Sequence, residues 1–397
     1  MARVVPDNHD SQYAQLIFDP ARVKVGQRWL YSAGANVPPW GGAPERLTEE
    51  IPDLAALAEA GAEVIVLNHQ GSAKDGTAGD QEHIASAWQR MGLPVRYDSD
   101  PWRNIRSVGA GPGTITLLRN TRLDPGEERC DEALARAYAT LAPRAIIGGF
   151  SKSHRRNASN TGILQHMPTW LSRGLAREVA ALEPLRHGSL GALVLGGMKR
   201  EKAMAVTGAL ADRTACVLLA GGVLNSLRRA RGLELGNSSR PTLSAGDSTR
   251  FLKATRSLGD RLVLPTEVCQ RESATGRLQW IPVTAPTKPG WAVVDVRWDT
   301  RDMQRVAHAL LVAPRAVVAG PPGHIGEGHA EAAGEVGRLL EPLGEKAVFL
   351  GGDTCTELDV TGTASAGGGA ALVYLSKGFS PVVEDLRRVR DRRRESL

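Results

Sequence analysis

Short apolar segments alternate with amphipathic helical stretches along almost the whole chain. The segments with the character of buried strands lie at 63–67, 115–119, 144–147, 192–195, 215–220, 261–264, 292–295, 315–319 and 347–350. A helix is predicted over residues 54–61, and a longer one over 169–185 would join the two halves. Strands and helices that alternate in this way are typical of parallel sheets covered by helices. The pattern therefore predicts an α/β fold built on doubly wound parallel sheets.

Glycines follow several of these strands directly. The turns are Gly196-Gly197-Met198-Lys199, Gly221-Gly222, Gly320-Pro321-Pro322-Gly323, Gly351-Gly352-Asp353-Thr354 and the run from 366 to 370. A glycine turn before a helix lets backbone N–H groups approach a phosphate, although a single such turn is equally compatible with tight packing alone. Asp353 is a natural ligand for a phosphate-bound Mg²⁺. An ordinary P-loop is excluded, because the chain has no Gly-x-x-x-x-Gly-Lys-Ser/Thr segment.

The strand ends of the first half carry basic and polar residues instead of glycine pairs. These residues are Asn36, Arg46, His69, Arg122, Lys152, His154, Arg155 and Arg156. Each alone is compatible with a surface charge, but neighbouring parallel strands would bring them to one edge of a sheet. Arginine suits an anion because its planar guanidinium matches carboxylate and phosphate oxygens. The set predicts an anion-binding site in the first half.

Charge and composition narrow the classes of function. The net charge is +6, but six arginines lie between 387 and 394 among acidic residues and without aromatic neighbours, so we expect no nucleic-acid partner. No apolar run is long enough for a membrane span, and the first residues lack the apolar core of a secretion signal, so we expect a cytoplasmic protein. The four cysteines are widely separated, so we expect reduced thiols.

A basic anion site in one half and nucleotide-type glycine turns in the other favour phosphoryl transfer. That chemistry depends mainly on positioning and on charge neutralisation by Mg²⁺, lysine and arginine. The 397 residues are enough for two domains of ordinary size. We therefore expect a two-domain kinase that closes on its substrates and excludes water.

The order of the motifs resembles phosphoglycerate kinases over essentially the whole chain. Asn36-Val-Pro38 resembles the end of that family's Arg-x-Asp-x-Asn-x-Pro segment, and 67–71 resembles its Ser-His-x-Gly-Arg turn. Segments 117–122 and 150–155 resemble Leu-Leu-Glu-Asn-x-Arg and Phe-Gly-x-x-His-Arg. The four remaining matches are the glycine turns at 195–199, 319–323, 351–354 and 366–370.

The resemblance implies two Rossmann-like domains joined by an interdomain helix, with ATP or ADP and Mg²⁺ as cofactors in a monomer. The expected bounds are 1–182 for the acid-binding domain, 183–379 for the nucleotide-binding domain, and 380–397 for a segment returning to the first. The residues implied for the acid are Asn36, Arg46, His69, Arg122, His154 and Arg155. Those implied for the nucleotide are Gly197, Lys199, Lys202, Gly221, Gly222, Gly320, Pro321, Glu327, Gly352, Asp353 and Thr354, with Asp353 on Mg²⁺. Catalytic roles are implied for Arg46, Lys199, Gly351 and Gly368.

Departures from the family pattern occur in both halves, and those in the first half concern the residues that would contact the acid. Gly34 stands where the family has an aspartate that contacts the glycerate hydroxyl, and Ser72 where it has an arginine on the substrate phosphate. Asn157 replaces a histidine, and Glu327 lies one residue from the family's ribose-binding glutamate. Loss of a charge-assisted contact is severe when its partner is left buried and unpaired. The departures therefore point away from 3-phosphoglycerate as substrate.

The leading hypothesis is an ATP-dependent kinase that forms an acyl phosphate on a small anionic acid other than 3-phosphoglycerate. Two alternatives stay open: a glycolytic phosphoglycerate kinase that tolerates the changes, and an inactive protein that binds a nucleotide or a metabolite. The leading hypothesis predicts that Gly34→Asp combined with Ser72→Arg raises turnover of 3-phosphoglycerate.

Overall fold

The computed structural model describes residues 14–40, 45–73, 76–100, 102, 109–358, 361–378 and 380–395. These residues form two compact units. Unit 1 consists of the described residues up to Ala181 together with those after Gly378, and unit 2 is Leu182–Gly378.

The described strands of unit 1 form one parallel sheet in the order β3-β4-β2-β1-β5-β6. They are β1 (Arg28–Ser32), β2 (Glu63–Leu67), β3 (Val95–Asp98), β4 (Ile115–Leu118), β5 (Ala145–Ile147) and β6 (Thr169–Leu171). The helices of this part of the chain are α1 (Glu45–Thr48), α2 (Ile51–Glu59), α3 (Glu82–Arg90), α4 (Glu132–Ala139) and α5 (Arg173–Arg186), which continues into unit 2. The last helix of the chain, α14 (Pro381–Glu395), belongs to unit 1, where the Val382 N–H donates to the Ser153 carbonyl at 3.3 Å.

The larger sheet of unit 2 is also parallel, in the order β15-β14-β13-β7-β8-β9. Its strands are β7 (Leu190–Leu195), β8 (Thr214–Leu219), β9 (Leu262–Val263), β13 (Ala316–Ala319), β14 (Ala347–Leu350) and β15 (Thr363–Ser365). The helices are α6 (Arg200–Met204), α7 (Ala209–Asp212), α8 (Gly221–Ala230), α9 (Ala245–Ser257), α10 (Thr300–Val312), α11 (Glu331–Leu340), α12 (Gly352–Glu357) and α13 (Gly369–Lys377). A second, antiparallel sheet contains β10 (Glu267–Glu272), β11 (Leu278–Pro282) and β12 (Trp291–Arg297) in the order β11-β10-β12.

The central strands form because their side chains are apolar on both faces. Every residue of β4, β7, β13 and β14 is buried, including the one polar residue among them, Thr116. Continuous apolar strands are typical of parallel sheets with helices on both sides. The α/β prediction with doubly wound parallel sheets is confirmed.

Three details of the sequence-based prediction are wrong. The helix predicted over 169–185 starts only at Arg173, because 169–171 forms β6, which pairs with β5 from Thr169 to Leu171. The strand predicted at 261–264 shrinks to two residues, because Pro265 cannot donate to a ladder. The strand at 292–295 lies in the antiparallel sheet, and its partners β10 and β11 escaped notice because polar residues interrupt their apolar pattern.

None of the helices in the described part of the chain is both long and apolar enough to cross a membrane.

Candidate functional site

The glycine turns of unit 2 follow five neighbouring strands of its parallel sheet. From one side to the other, they follow β15, β14, β13, β7 and β8. Their backbones pack directly on one another: a Cβ on Gly196 would lie 2.3 Å from the Pro321 carbonyl oxygen. A Cβ on Gly320, whose φ is +100°, would lie 2.3 Å from the Gly196 carbonyl oxygen. These glycines are therefore required by the close approach of two loops at this edge of the sheet.

A buried lysine lies against the same turns. Lys202 is only 3% exposed, and its Nζ would lie 2.8 Å from a Cβ on either Gly197 or Gly320. Lys199 is exposed and precedes the first residue of α6. Both lysines were expected in the site, with the catalytic role on Lys199. In the structure, Lys202 is the lysine whose ammonium group contacts the glycine turns.

The turn after β14 is partly occupied by its own hydrogen bonds. The Thr354 hydroxyl donates to the Leu350 carbonyl at 2.8 Å and accepts from the Gly320 N–H at 2.9 Å. The Thr354 hydroxyl therefore joins two loops. These hydrogen bonds compete with the hydrogen bond to a phosphate that was expected of this hydroxyl. Gly351 is more open, because the nearest atom to a Cβ there would be the Gly368 Cα at 3.6 Å. Gly352 begins α12, and Gly368 directly precedes α13.

The expected metal ligand lies outside what the structure describes, because the side chain of Asp353 is not among the described ones. Within the described part of the chain, no group of three or more His, Cys, Asp or Glu side chains is arranged to hold a metal ion. Mg²⁺ on a nucleotide needs few protein ligands, since the phosphates and water supply the others. The assignment of Asp353 to Mg²⁺ stays a prediction.

The residues expected near the adenosine differ in their accessibility. A Cβ on Gly221 would lie 3.2 Å from the Pro321 carbonyl oxygen, and one on Gly222 would lie 2.6 Å from the Gly197 carbonyl oxygen. Gly221 and Gly222 are therefore closely packed on two neighbouring turns. Glu327 forms an ion pair of 2.6 Å with Arg271 on β10. Its carboxylate consequently has a protein partner that would compete with a ribose.

The basic residues of unit 1 follow four adjacent strands, β4, β2, β1 and β5. His69, after β2, is buried, which lowers the pKa of its imidazole well below its usual value. Four positive charges add to this decrease in the pKa: those of Arg122, Lys152, Arg155 and Arg46. The expected clustering of cations around His69 therefore occurs, and we call these five residues the cation cluster.

Hydrogen bonds between loops hold parts of this cluster in position. The Arg46 guanidinium donates to the Asn36 carbonyl at 3.0 Å, and the Asn36 amide oxygen accepts from the Gly71 N–H at 3.0 Å. The Arg122 side chain is almost completely buried and lies 3.4 Å from Glu128. His154 Nε2 lies 3.4 Å from Arg155 Nε. Asn36 therefore links the loops after β1 and β2, in addition to any contact with a ligand.

The space beside Gly34 is too small for the aspartate side chain that the family pattern has at this position. A Cβ at this position would lie 2.4 Å from the Gly149 Cα and 3.3 Å from Glu50 Oε1. The Gly34 N–H already donates to Glu50 at 2.6 Å. Gly34→Asp therefore requires the Gly149 backbone to move, and the increase in 3-phosphoglycerate turnover expected of Gly34→Asp with Ser72→Arg stays a prediction.

Sequence reasoning overlooked a buried polar network beside the cation cluster. Glu50, at the start of α2, is fully buried and accepts from the Tyr31 hydroxyl at 2.7 Å. Burial raises the pKa of Glu50 to about 8, and repulsion from Glu49 adds to the increase. Lys152 is 5% exposed and donates to the Ser32 hydroxyl. The one signal in the sequence was the pair of glutamates directly before the first turn of a helix.

Comparison with known proteins places the chain in a family. The family model described as phosphoglycerate kinase matches residues 26–377. A phosphoglycerate kinase of Thermomicrobium roseum is 31% identical over 88% of this chain and 93% of its own. That of Deinococcus radiodurans is 29% identical over 88% of this chain and 89% of its own.

Two solved structures have a similar fold. Phosphoglycerate kinase from Coxiella burnetii has a TM-score of 0.68 at 21% identity, over 93% of this chain and 98% of that one. The enzyme from Pyrococcus horikoshii has a TM-score of 0.72 at 19% identity, over 92% and 97%. Together with the family match over nearly the full length, this shows that the chain belongs to the phosphoglycerate kinase family.

Proposed function

We propose that this protein transfers a phosphoryl group between ATP and the carboxylate of a small anionic acid, which forms an acyl phosphate. The observation that carries the proposal is the edge of the unit 2 sheet, where glycine turns follow five neighbouring strands and the buried ammonium group of Lys202 lies against the turns after β7 and β13. Exposed backbone N–H groups and a lysine are the groups that phosphoryl transfer requires. Family membership supports the same reaction.

In this proposal, unit 2 binds the nucleotide. The backbone N–H of Gly368 would donate to the transferring phosphate, with Lys202 and the exposed Lys199 as the cations. The Gly351 N–H donates to the Ser365 carbonyl at 2.8 Å, so Gly351 would contribute only room for the phosphate. Asp353 would hold Mg²⁺, which supplies charge neutralisation when bound. Gly197, Gly221, Gly222, Gly320 and Pro321 would shape the turns around the nucleotide.

Unit 1 would bind the acid through the cation cluster. Four cations around a neutral imidazole repel one another, and an anion among them removes that repulsion. A carboxylate with a second anionic group is therefore the favoured ligand. Asn36 and His154 would complete the site, because they lie in the loops that carry the cluster.

We propose further that the preferred acid lacks the hydroxyl of 3-phosphoglycerate. Gly34 offers no side chain to such a hydroxyl, and the space beside it is filled by Gly149 and Glu50. Ser72 offers no positive charge to a phosphate. A second candidate, the glycolytic activity itself, is favoured by the names of the relatives that match over most of the chain.

The test is a turnover assay with ATP, Mg²⁺ and hydroxylamine, which traps an acyl phosphate as a hydroxamate. The two substrates are 3-phosphoglycerate and 3-(phosphonooxy)propionate, which has the same length and charges without the hydroxyl. We expect the second acid to give the higher kcat/KM. A clear preference for 3-phosphoglycerate would support the glycolytic candidate instead.

The matched variants for this assay are Lys202→Met and Lys253→Met. Lys253 is an exposed lysine on α9, so its replacement tests for any general effect of losing a surface charge. We expect hydroxamate formation to fall with Lys202→Met and to stay at the wild-type rate with Lys253→Met. Binding of MgADP without hydroxamate from either acid would contradict the proposed reaction on these acids and favour an inactive nucleotide-binding protein.

A further inference from the structure

Lys152, in the loop after β5, is a buried cation that belongs to the basic set predicted from the strand ends but not to the acid-binding residues implied by the family resemblance. Its side chain is 5% exposed, and its Nζ donates to the hydroxyl of Ser32 at the end of β1. The Ser32 hydroxyl in turn donates to the Ser159 carbonyl at 2.6 Å. An ammonium group has three N–H donors. Among the described residues, Ser32 is the hydrogen-bond acceptor of Nζ, so two donors are left for another ligand.

The two carboxylates near Lys152 are engaged by other groups. Glu50 accepts from the Tyr31 hydroxyl at 2.7 Å and from the Gly34 N–H at 2.6 Å. Glu127 accepts from the Ser159 N–H at 3.0 Å and from its hydroxyl at 2.5 Å. Both carboxylates offset part of the free-energy cost of burying the ammonium group of Lys152, but neither accepts a hydrogen bond from it. Among the described side chains, no carboxylate therefore accepts a hydrogen bond from the buried ammonium group of Lys152.

Lys152 and the arginines of the cation cluster all act electrostatically on His69. The charge of Lys152 lowers the pKa of His69, as the charges of Arg122, Arg155 and Arg46 do. Burial disfavours the charged form of Lys152, and an anion bound beside it would offset that cost further than Glu50 and Glu127 do. The geometry therefore indicates a ligand oxygen beside Lys152.

The position of Ser32 strengthens this interpretation. In the Arg-x-Asp-x-Asn-x-Pro pattern that Asn36 and Pro38 match, Ser32 stands at the arginine. The ammonium group of Lys152, from the loop after β5, places a positive charge at the end of β1, where the family pattern has the arginine. The replacement changes the kind of recognition, because lysine is a compact point charge whereas arginine presents a planar fork to two oxygens.

We propose that Lys152, held by Ser32, is a specificity-determining substrate-binding residue that contacts a single oxygen of the second anionic group of the acid. The proposal rests on the proposed function, because it names the acid class of the same site: a small carboxylate with a phosphate or phosphonate group. A single contact from lysine suits a phosphate that is not bound by a pair of arginines. The family pattern has arginine at positions 32 and 72, and this chain has serine at both.

The first experiment measures binding of 3-(phosphonooxy)propionate and of MgADP by isothermal titration calorimetry. Lys152→Met is compared with the wild type and with Lys24→Met, which removes an exposed lysine of unit 1. We expect Lys152→Met to weaken binding of the acid by about 10- to 100-fold, as loss of a hydrogen bond to a charged group does, and to leave binding of MgADP unchanged. Equal affinity of Lys152→Met and wild type for the acid would overturn the proposal, and so would the absence of acid binding by the wild type.

A second variant covers the case in which Lys152→Met leaves buried carboxylates uncompensated and does not fold. The double variant Lys152→Met with Glu50→Gln removes the ammonium group and the neighbouring ionisable carboxyl together, so Glu50 cannot be left as a buried carboxylate without its cation. The same loss of acid binding is expected from it. Lys152→Arg is expected to retain acid binding only in part, because the fork of arginine does not fit the single contact with Ser32.

Proton uptake on binding separates direct contact from a structural role. Burial lowers the pKa of Lys152 to about 8, and a bound anion would raise it again. Titrations at pH 8 in two buffers of different ionisation enthalpy should therefore show uptake of up to about half a proton per acid bound. The other ionisable groups that face this site are Tyr31, Arg46, Glu50, His69, Arg122, Glu127 and Arg155. If Lys152→Met takes up the same number of protons as the wild type on binding the acid, the protons go to one of these other groups, and the direct contact between Lys152 and the acid is contradicted.

The two proposals fail in distinguishable ways. An acid that binds to the wild type, depends on Lys152 and gives no hydroxamate with ATP would leave the binding residue in place and contradict the phosphoryl transfer. Hydroxamate formation at the wild-type rate and KM by Lys152→Met would contradict the role of Lys152 and leave the reaction in place.

Discussion

The assignment of the nucleotide lysine is tested most sharply by Lys202→Met. The ammonium group of Lys202 is 3% exposed and lies 2.8 Å from the positions a Cβ would take at Gly197 and Gly320, so a phosphate on these turns would meet it directly. A hydrogen bond to a charged group contributes about 1.5–3 kcal/mol, which corresponds to a roughly 10- to 100-fold rise in the Kd of MgADP. Methionine is similar in length to lysine and packs well in buried positions, so we expect Lys202→Met to change the free energy of unfolding little.

The measurement is calorimetric titration with MgADP, together with urea unfolding of each variant. Lys199→Met is the matched comparison, because Lys199 is exposed three residues earlier, and we expect it to change the Kd less than Lys202→Met does. Lys253→Met, far from the turns in sequence and exposed, should bind as the wild type does. A Kd for Lys202→Met within about threefold of the wild type, from protein that unfolds at the same urea concentration, would refute the reasoning.

Two further predictions concern stability. Gly320→Ala should lower the free energy of unfolding, measured in urea, by about 2 kcal/mol or more, because φ is +100° and the new Cβ would lie 2.3 Å from the Gly196 carbonyl oxygen. Gly246→Ala, on α9, should instead raise it by about 0.5–1 kcal/mol, because no atom lies within 4 Å of the new Cβ. Equal effects of the two changes would contradict this explanation. Glu50 has a pKa of about 8 in the folded protein against an ordinary 4.5, so its protonated form stabilises fully below about pH 4.5 and that contribution is lost as the pH rises towards 8. Urea unfolding between pH 5 and 8 should show a flatter dependence for Glu50→Gln, and an unchanged slope would count against a neutral buried Glu50.

Much of the fold follows from local patterns. Apolar segments of strand length, separated by amphipathic helices, predict parallel strands wherever the segments are continuous, as at β7 and β14. The prediction failed where polar residues interrupt the apolar pattern of a strand, as in β10, and where a strand is followed directly by a helix, as at Thr169–Leu171. In the second case Ser172 follows the strand, and its hydroxyl accepts from the Leu175 N–H, so the helix begins only after it.

The candidate site divides in the same way. Glycine turns could be recognised in the sequence because the need for glycine arises within a few residues of the turn. The preference for Lys202 over Lys199 could not, because it depends on which lysine the first turn of α6 directs beneath the turn after β13. Neither could the hydrogen-bond partners of Glu50 and Lys152, which lie 16 and 120 residues away in the chain.

By itself, the sequence determined the elements, the α/β class and the residues that follow each strand, since those depend on neighbours in the chain. Only the tertiary structure decided which of these residues meet. The order of strands in each sheet brings together loops from distant segments, and burial then changes the chemistry of what it encloses. Gly34 illustrates the difference: in the sequence it is a lost aspartate, whereas in the structure the space beside it is filled by Gly149 and by the carboxylate of Glu50. Close packing allows only one group to occupy that space, so the substitution at Gly34 can be understood only together with its distant partners.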